Sequence, residues 1–278
     1  GLIGGSMALS WKRAGIVDEV IAFGHNPATL QKALDKGAAD TVTTSMEEAV
    51  KDADIVVSAV PVEAMESVFT EMAPFLKSDA VVTDVGSTRQ TVIAAARKGL
   101  GDKFHQYAPA HPIAGGEMPG VDYASADLFD EKVVISTPDE GMDPKVVTFI
   151  EEAWRKAGAR VQAMSPLQHD LTFASVSHLP HVLAYALVDM IAREENAQEK
   201  LKMAGAGFRD FTRIASSSPV MWRDICLSNR EALSHELKRY RASLDTLQKY
   251  IDESDGKALE SVFENAVRNR RGLVFPGK

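Results

Sequence analysis

The sequence predicts an α/β fold over roughly its first 165 residues and an all-helical unit after them. Three observations predict it. Up to about Pro166, short β-branched runs bounded by Gly, Pro and Asp alternate with helical patterns. From Leu167 onward there is no strand-like alternation. A cluster of glycines, Gly1, Gly4 and Gly5, stands directly before a helical pattern.

The strands expected in the first part are Glu19–Gly24, Asp54–Val60, Ala80–Val85 and Lys132–Thr137, with weaker signals at Phe104–Ala110 and Ala159–Met164. Helices are expected between them at Ser6–Ala14, Pro27–Lys36, Ser45–Val50, Pro61–Ala73, Thr88–Lys98 and Pro144–Ala157. Strands alternating with helices give a mostly parallel sheet covered on both faces. The second part reads as Leu167–Arg193, a short piece near Lys200–Gly207, Pro219–Tyr250 and Lys257–Arg271. The boundary is therefore expected near residue 165, giving an α/β domain over 1–165 and a helical domain over 166–278.

The formal charge is -8, from 31 Lys+Arg against 39 Asp+Glu, which disfavours nucleic acid as a partner. A few placed arginines can still bind a small anion. Cys226 is the only cysteine, so no internal disulfide forms, and a reducing, cytoplasmic setting fits. No apolar stretch is expected to span a membrane. The chain opens on the glycine cluster with no strand before it, so a short segment carrying the first strand is expected to precede Gly1 in the full protein.

Gly1 and Gly4 before Ser6–Ala14 form part of a phosphate loop. A backbone that approaches a pyrophosphate needs residues without a Cβ, and the helix N-terminus offers free N–H groups. The fold is then a Rossmann-type one, and the partner a dinucleotide. Such folds place an acid at the end of the second strand to hold the adenine ribose. Here that strand ends in Phe23-Gly24-His25-Asn26, without a carboxylate. Nothing there repels a 2′-phosphate, so NAD and NADP both stand as cofactors, with His25 and Asn26 as hydrogen-bonding candidates.

Chemistry-bearing residues gather in four further places. After Phe104–Ala110 comes His111-Pro112-Ile113-Ala114-Gly115-Gly116-Glu117, a loop at the carboxyl end of a strand, where ligands bind in open α/β sheets. A histidine there can take a proton near neutral pH. Asp84-Val85-Gly86-Ser87 ends the preceding strand, and Ser87 can share the same substrate hydroxyl. Ser177-His178-Leu179-Pro180-His181 interrupts an apolar helix. Gly205 to Arg213, with two glycines beside Arg209, Asp210 and Arg213, reads as poor core and poor helix; Arg213 offers a planar fork suited to a carboxylate.

Taken in order, Gly1-Leu2-Ile3-Gly4-Gly5-Ser6, Asp84–Ser87, His111–Glu117, Ser177–His181, Gly207–Arg213 and Met221-Trp222-Arg223-Asp224 resemble the prephenate/arogenate (cyclohexadienyl) dehydrogenase family across nearly the whole chain. The resemblance implies oxidative decarboxylation of prephenate, arogenate or both, with hydride transfer to NAD(P), and a helical domain that forms a homodimer. It implies His111 as the catalytic residue, assisted by Ser87. It implies Arg213 as the carboxylate anchor, with Ser177, His181 and Arg209 around the substrate and Glu117 near the entrance. Cofactor contacts are expected at Gly1, Leu2, Ile3, Gly4, Gly24, His25, Asn26, Val60 and Pro61. The long apolar stripe Ile225, Leu233, Leu237, Leu244, Leu247 and Ile251 independently favours pairing of two copies.

Two other readings compete. A β-hydroxyacid dehydrogenase shares this architecture but uses a helical lysine, and Leu171–Leu183 holds none. A nucleotide-sensing regulator would need neither His111 nor Arg213.

Overall fold

A computed structural model of the chain describes residues 1–116 and 118–273. The α/β part runs α1 (Leu2–Arg13), β1 (Ile21–Phe23), α2 (Pro27–Asp35), β2 (Thr41–Thr43), α3 (Met46–Val50), β3 (Ile55–Ser58), α4 (Met65–Met72), β4 (Val81–Asp84), α5 (Gln90–Leu100), β5 (Tyr107–Ala108), β6 (Ala110–Pro112), β7 (Val133–Ser136), α6 (Pro144–Lys156) and β8 (Arg160–Ala163). β1 pairs with β2, β3 with β4 and β4 with β5, all in parallel. β6 runs antiparallel to β7, and β7 parallel to β8. This is the expected Rossmann-type, mostly parallel arrangement.

Local chemistry starts the helices. The Asn26 side chain accepts from the backbone N–H of Ala28 and Thr29 at α2, and Asp143 accepts from Lys145 at α6, each with proline in the first turn. Ser45 caps α3 through the N–H of Glu48. Ala33 of α2 packs on a small cluster of Ala38, Val121 and Ala124, while the other apolar faces meet the sheets in one larger core. There Trp154 of α6 stands edge-on to Trp11 of α1 and to Phe129, with centroids 5.6 and 5.0 Å apart. Such pairs contribute about 0.5–1.5 kcal/mol beyond their buried area.

Several elements depart from the sequence expectation. β2 is a three-residue strand carrying only Thr-Val-Thr, too short to show periodicity. The expected strand Phe104–Ala110 begins in a 3₁₀ turn, Gly101–Gln106; Tyr107–Ala108 pairs with β4, and Ala110 already opens β6. α1 begins at Leu2, so Gly4 and Gly5 lie inside the helix. His111 is in strand β6, opposite Ile135, rather than in the loop after it.

The helical part comprises α7 (Pro166–Phe173), a π-turn (Ala174–His178), α8 (Leu179–Ala192), α9 (Ala197–Lys202), α10 (Ala206–Thr212), α11 (Pro219–Ser228), α12 (Arg230–Asp252) and α13 (Gly256–Gly272). The glycine-flanked stretch expected to be poor helix is the short helix α10, followed by a 3₁₀ turn at Arg213–Ser216. The expected single helix Pro219–Tyr250 breaks at Asn229, whose side chain is drawn inward to Asp170 and His178. The 27-residue run Pro166–Ala192 is, by length and composition alone, long and apolar enough to cross a membrane, which corrects the expectation that no stretch is. It nevertheless carries His169, Asp170 and His178, all buried and hydrogen-bonded within the protein.

Candidate active site

Strand β4 ends in a buried charge cluster. Arg89, with no exposed surface, forks onto Asp84 with Nη1–Oδ1 at 3.0 Å and Nη2–Oδ2 at 2.6 Å. The Tyr107 hydroxyl donates to Asp84 Oδ1 at 2.6 Å, and the Gly86 N–H donates to Oδ2 at 2.7 Å. Burial opposes the guanidinium's charge, but Asp84 outweighs it and holds Arg89 protonated. Burial likewise raises the Tyr107 hydroxyl well above its usual range. These bonds fix the turn Val85–Thr88 and thus the half-buried Ser87.

His111 enters from β6. Its Nδ1 lies 2.7 Å from His169 Nε2, and His169 Nδ1 lies 2.8 Å from Asp170 Oδ1. A carboxylate only accepts, so His169 donates from Nδ1 and its Nε2 carries a lone pair. His111 must then donate from Nδ1, which leaves the lone pair of His111 on Nε2. Phe173 packs against both rings, with centroids 5.1 Å from His111 and 4.4 Å from His169. Asp170 also accepts from the N–H groups of Arg89 at 2.8 Å and Gln90 at 2.9 Å, capping α5 from the other domain. Burial pushes His111 well below the usual histidine value, and the charges of His169, Arg89 and His178 push the same way. Burial also lowers His169, against the pull of Asp170. For Asp170, burial would raise the carboxyl, but the bonds from His169, Gln90 and Arg89 hold it below its usual range.

The π-turn and α8 supply the next residues. An extra residue in a helix rotates every turn beyond it, and such bulges recur at functional sites. Here the turn brings both histidines of the Ser177–His181 block to Trp222 of α11. His181 stacks on it at 3.6 Å and 20°, and His178 meets it edge-on at 6.1 Å. His181 Nδ1 donates to the Ser177 carbonyl at 2.8 Å, leaving Nε2 as an acceptor. Burial lowers His181, the Ser177 carbonyl opposes this, and the nearby charge of Arg213 lowers it further. Arg213 thus lies in the neighbourhood of His181, on an exposed turn. Arg209 is exposed beside Asp210, at 3.6 Å, as a surface pair. Glu117 lies outside the described residues.

At the other edge, a Cβ on Gly4 would lie 2.8 Å from that of Ala59, next to Val60 and Pro61 at the end of β3. Glycine there lets α1 seat against the strand. A Cβ on Gly1, just before α1, would meet nothing within 4 Å. In a dinucleotide loop the last two glycines serve close ligand approach and close helix–strand packing, and the close packing of Gly4 is of the second kind. A Cβ on Gly24 would meet only Leu30, at 3.4 Å, and His25 stands edge-on to Phe23. The Asn26 carbonyl oxygen is committed to capping α2, leaving its amide N–H groups for any ribose contact.

Sequence reasoning missed His169, Asp170, Asn229 and Arg89. The available signal was an adjacent His-Asp pair inside an otherwise apolar helix, which is expensive unless each group is paired.

A glycine-cradled α1, a mostly parallel sheet and a histidine with a free acceptor nitrogen together define a nicotinamide-dependent dehydrogenase of the Rossmann class. Residues 7–163 match the family described as prephenate dehydrogenase, nucleotide-binding domain, and residues 165–265 match prephenate dehydrogenase, dimerization domain. The chain belongs to the prephenate dehydrogenase family. It is 36% identical to the cyclohexadienyl dehydrogenase of Zymomonas mobilis, over 98% of this chain and 93% of that protein. It is similar to the prephenate dehydrogenase of Aquifex aeolicus in complex with hydroxyphenyl propionate and NAD+, with TM-score 0.89 and 35% identity over 97% and 94% of the two chains. Against Synechocystis arogenate dehydrogenase the TM-score is 0.80, at 26% identity over 98% and 97%.

Proposed function

We propose that the chain catalyses the NAD(P)-dependent oxidative decarboxylation of prephenate, arogenate or both, with His111 as the base. His111 Nε2 takes the proton of the ring 4-hydroxyl, which Ser87 shares. A nicotinamide held there would supply the oxidation, taking the hydride from C4, and the ring carboxylate would leave as CO2 as the ring becomes aromatic. Arg213 holds a substrate carboxylate, with His181, Ser177, Arg209 and Glu117 around it. Arg213 must hold without over-stabilising a charge that disappears in the reaction. Gly1, Leu2, Ile3 and Gly4 would hold the pyrophosphate, Val60 and Pro61 the middle of the cofactor, and Gly24, His25 and Asn26 the adenine ribose. With no acid at Gly24, both NAD and NADP are accepted. A second copy of the chain covers the exposed apolar face of the helical half.

The observation that carries this reading is the row Asp170–His169–His111, at 2.8 and 2.7 Å, from which Nε2 of His111 follows as the acceptor. NAD(P)H formation with prephenate and with arogenate tests it. His111→Asn should lower kcat by a factor of about 10² to 10⁴, the loss expected for a general base, with KM little changed. Near-wild-type kcat in that variant would remove His111 from the mechanism.

A further inference from the structure

We propose that His169 and Asp170 are positioning residues for the reaction: they fix the tautomer of His111 and receive the positive charge created when His111 takes the substrate proton. This rests on the reading of His111 as the base.

An imidazolium at His111 is badly placed. Its half-buried ring has the charge of Arg89 and the rings of His169 and His178 around it, and among the described residues no carboxylate is hydrogen-bonded to it. One ring further on, burial still opposes a positive charge, but a carboxylate is in contact to offset it. His169 Nδ1 is 2.8 Å from Asp170, and Asp84 also favours positive charge on His169, while Arg89 opposes it. A buried charge is tolerated where it is paired and hydrogen-bonded. The 2.7 Å contact between His111 Nδ1 and His169 Nε2 is a direct path between the two places.

Protons and electrons balance in the step. The substrate O–H bond breaks and its proton forms a bond to His111 Nε2. The proton on His111 Nδ1 passes to His169 Nε2, so His111 is neutral again and His169 is cationic against the Asp170 carboxylate. The electron pair would leave as the hydride that an oxidised nicotinamide takes in the reaction itself. Asp170 stays ionised, held by the N–H groups of Arg89 and Gln90. Phe173 against both rings and the 1% exposure of Asp170 leave the chain little freedom to turn.

Two variants test the relay, with kcat and KM measured from pH 5 to 9 and folding checked by thermal melting. In His169→Gln the amide oxygen still accepts from His111 Nδ1, so orientation survives, but the group cannot take a proton. Its kcat should fall at least tenfold, a modest share of general acid–base catalysis, with KM within about threefold. Asp170→Asn removes the charge that favours protonated His169. Its kcat should fall by roughly 10², and its acid limb should move to lower pH because the relay's proton is held less tightly. Loss of a helix cap alone would lower the melting temperature and leave that limb in place. Wild-type kcat in His169→Gln, or an unmoved limb in a folded Asp170→Asn, would overturn the proposal. If Asp170→Asn does not fold, His169→Gln decides alone. An inactive His111→Asn beside a fully active His169→Gln sinks the relay and spares the base, whereas an active His111→Asn sinks both.

Discussion

In the proposed reading Arg213 binds a substrate carboxylate by geometry as much as by charge. Its guanidinium presents two parallel N–H donors that match the two oxygens of a carboxylate, and it stands near the acceptor ring of His181. Loss of a charged partner costs about 1.5–3 kcal/mol. Arg213→Ala should therefore raise KM for prephenate tenfold or more. Arg213→Lys should recover only part of that, because an ammonium is a point donor. An alanine variant with unchanged KM would place the carboxylate elsewhere. His181 is held from two sides, by stacking on Trp222 and by its bond to the Ser177 carbonyl.

At the scale of elements, the end of β4 and the start of α5 are tied by a single buried pair, Asp84 with Arg89. Breaking a buried pair leaves an uncompensated charge and typically costs about 3–5 kcal/mol. Arg89→Met should lower stability by that order in denaturant unfolding, and the freed turn should weaken catalysis through Ser87. A variant as stable as the parent would mean that Tyr107 and the Gly86 N–H suffice for Asp84. The sequence displays much of this architecture, because the runs at β3, β4 and β7 are β-branched and α6 follows a clear Asp-Pro start. It hides the rest for definite reasons. β2 and β6 are three residues long, and β6 contains a proline and the catalytic candidate itself, so neither shows a period. Asn229 looks like any polar residue in a long helix until Asp170 and His178, distant in sequence, draw its amide inward. His111 and Ser87 are legible because they sit in short distinctive motifs, whereas His169 and Asp170 gain meaning only through bonds made across 58 and 81 positions.

In the whole molecule, exposed large apolar side chains are concentrated in the helical half, among them Leu171, Val176, Met190, Leu244, Ile251 and Phe263. The stripe on α11 and α12 is covered at Ile225 and Leu233 and bare at Leu244 and Ile251. A two-fold partner is the simplest cover. Light scattering after size exclusion should give about twice 30.1 kDa at micromolar concentration; a mass of one chain would refute the dimer. Folding is also tied to pH. His178 accepts from the Asn229 amide through Nδ1, and burial, only partly offset by Asp170, lowers it to about 4. Its folded value is depressed, so its contribution is complete above the unfolded value and is lost as pH falls from about 6.5 toward 4. His111 and His169 act in the same direction. Urea unfolding should lose on the order of 3 kcal/mol over that range from His178 alone. His178→Gln, which keeps an acceptor for Asn229 without a titrating proton, should flatten the slope; an unchanged slope would assign the acid sensitivity elsewhere. The joint between the two halves is written largely in main-chain atoms: Asp170 reads two backbone N–H groups of α5, and Thr91 reaches the Ser228 carbonyl. Main-chain atoms do not change when side chains drift. The two halves can therefore diverge in sequence at different speeds, as long as an acid stands at position 170, α5 begins where it does now, and the side-chain contacts of His111 with His169 and Phe173 are kept.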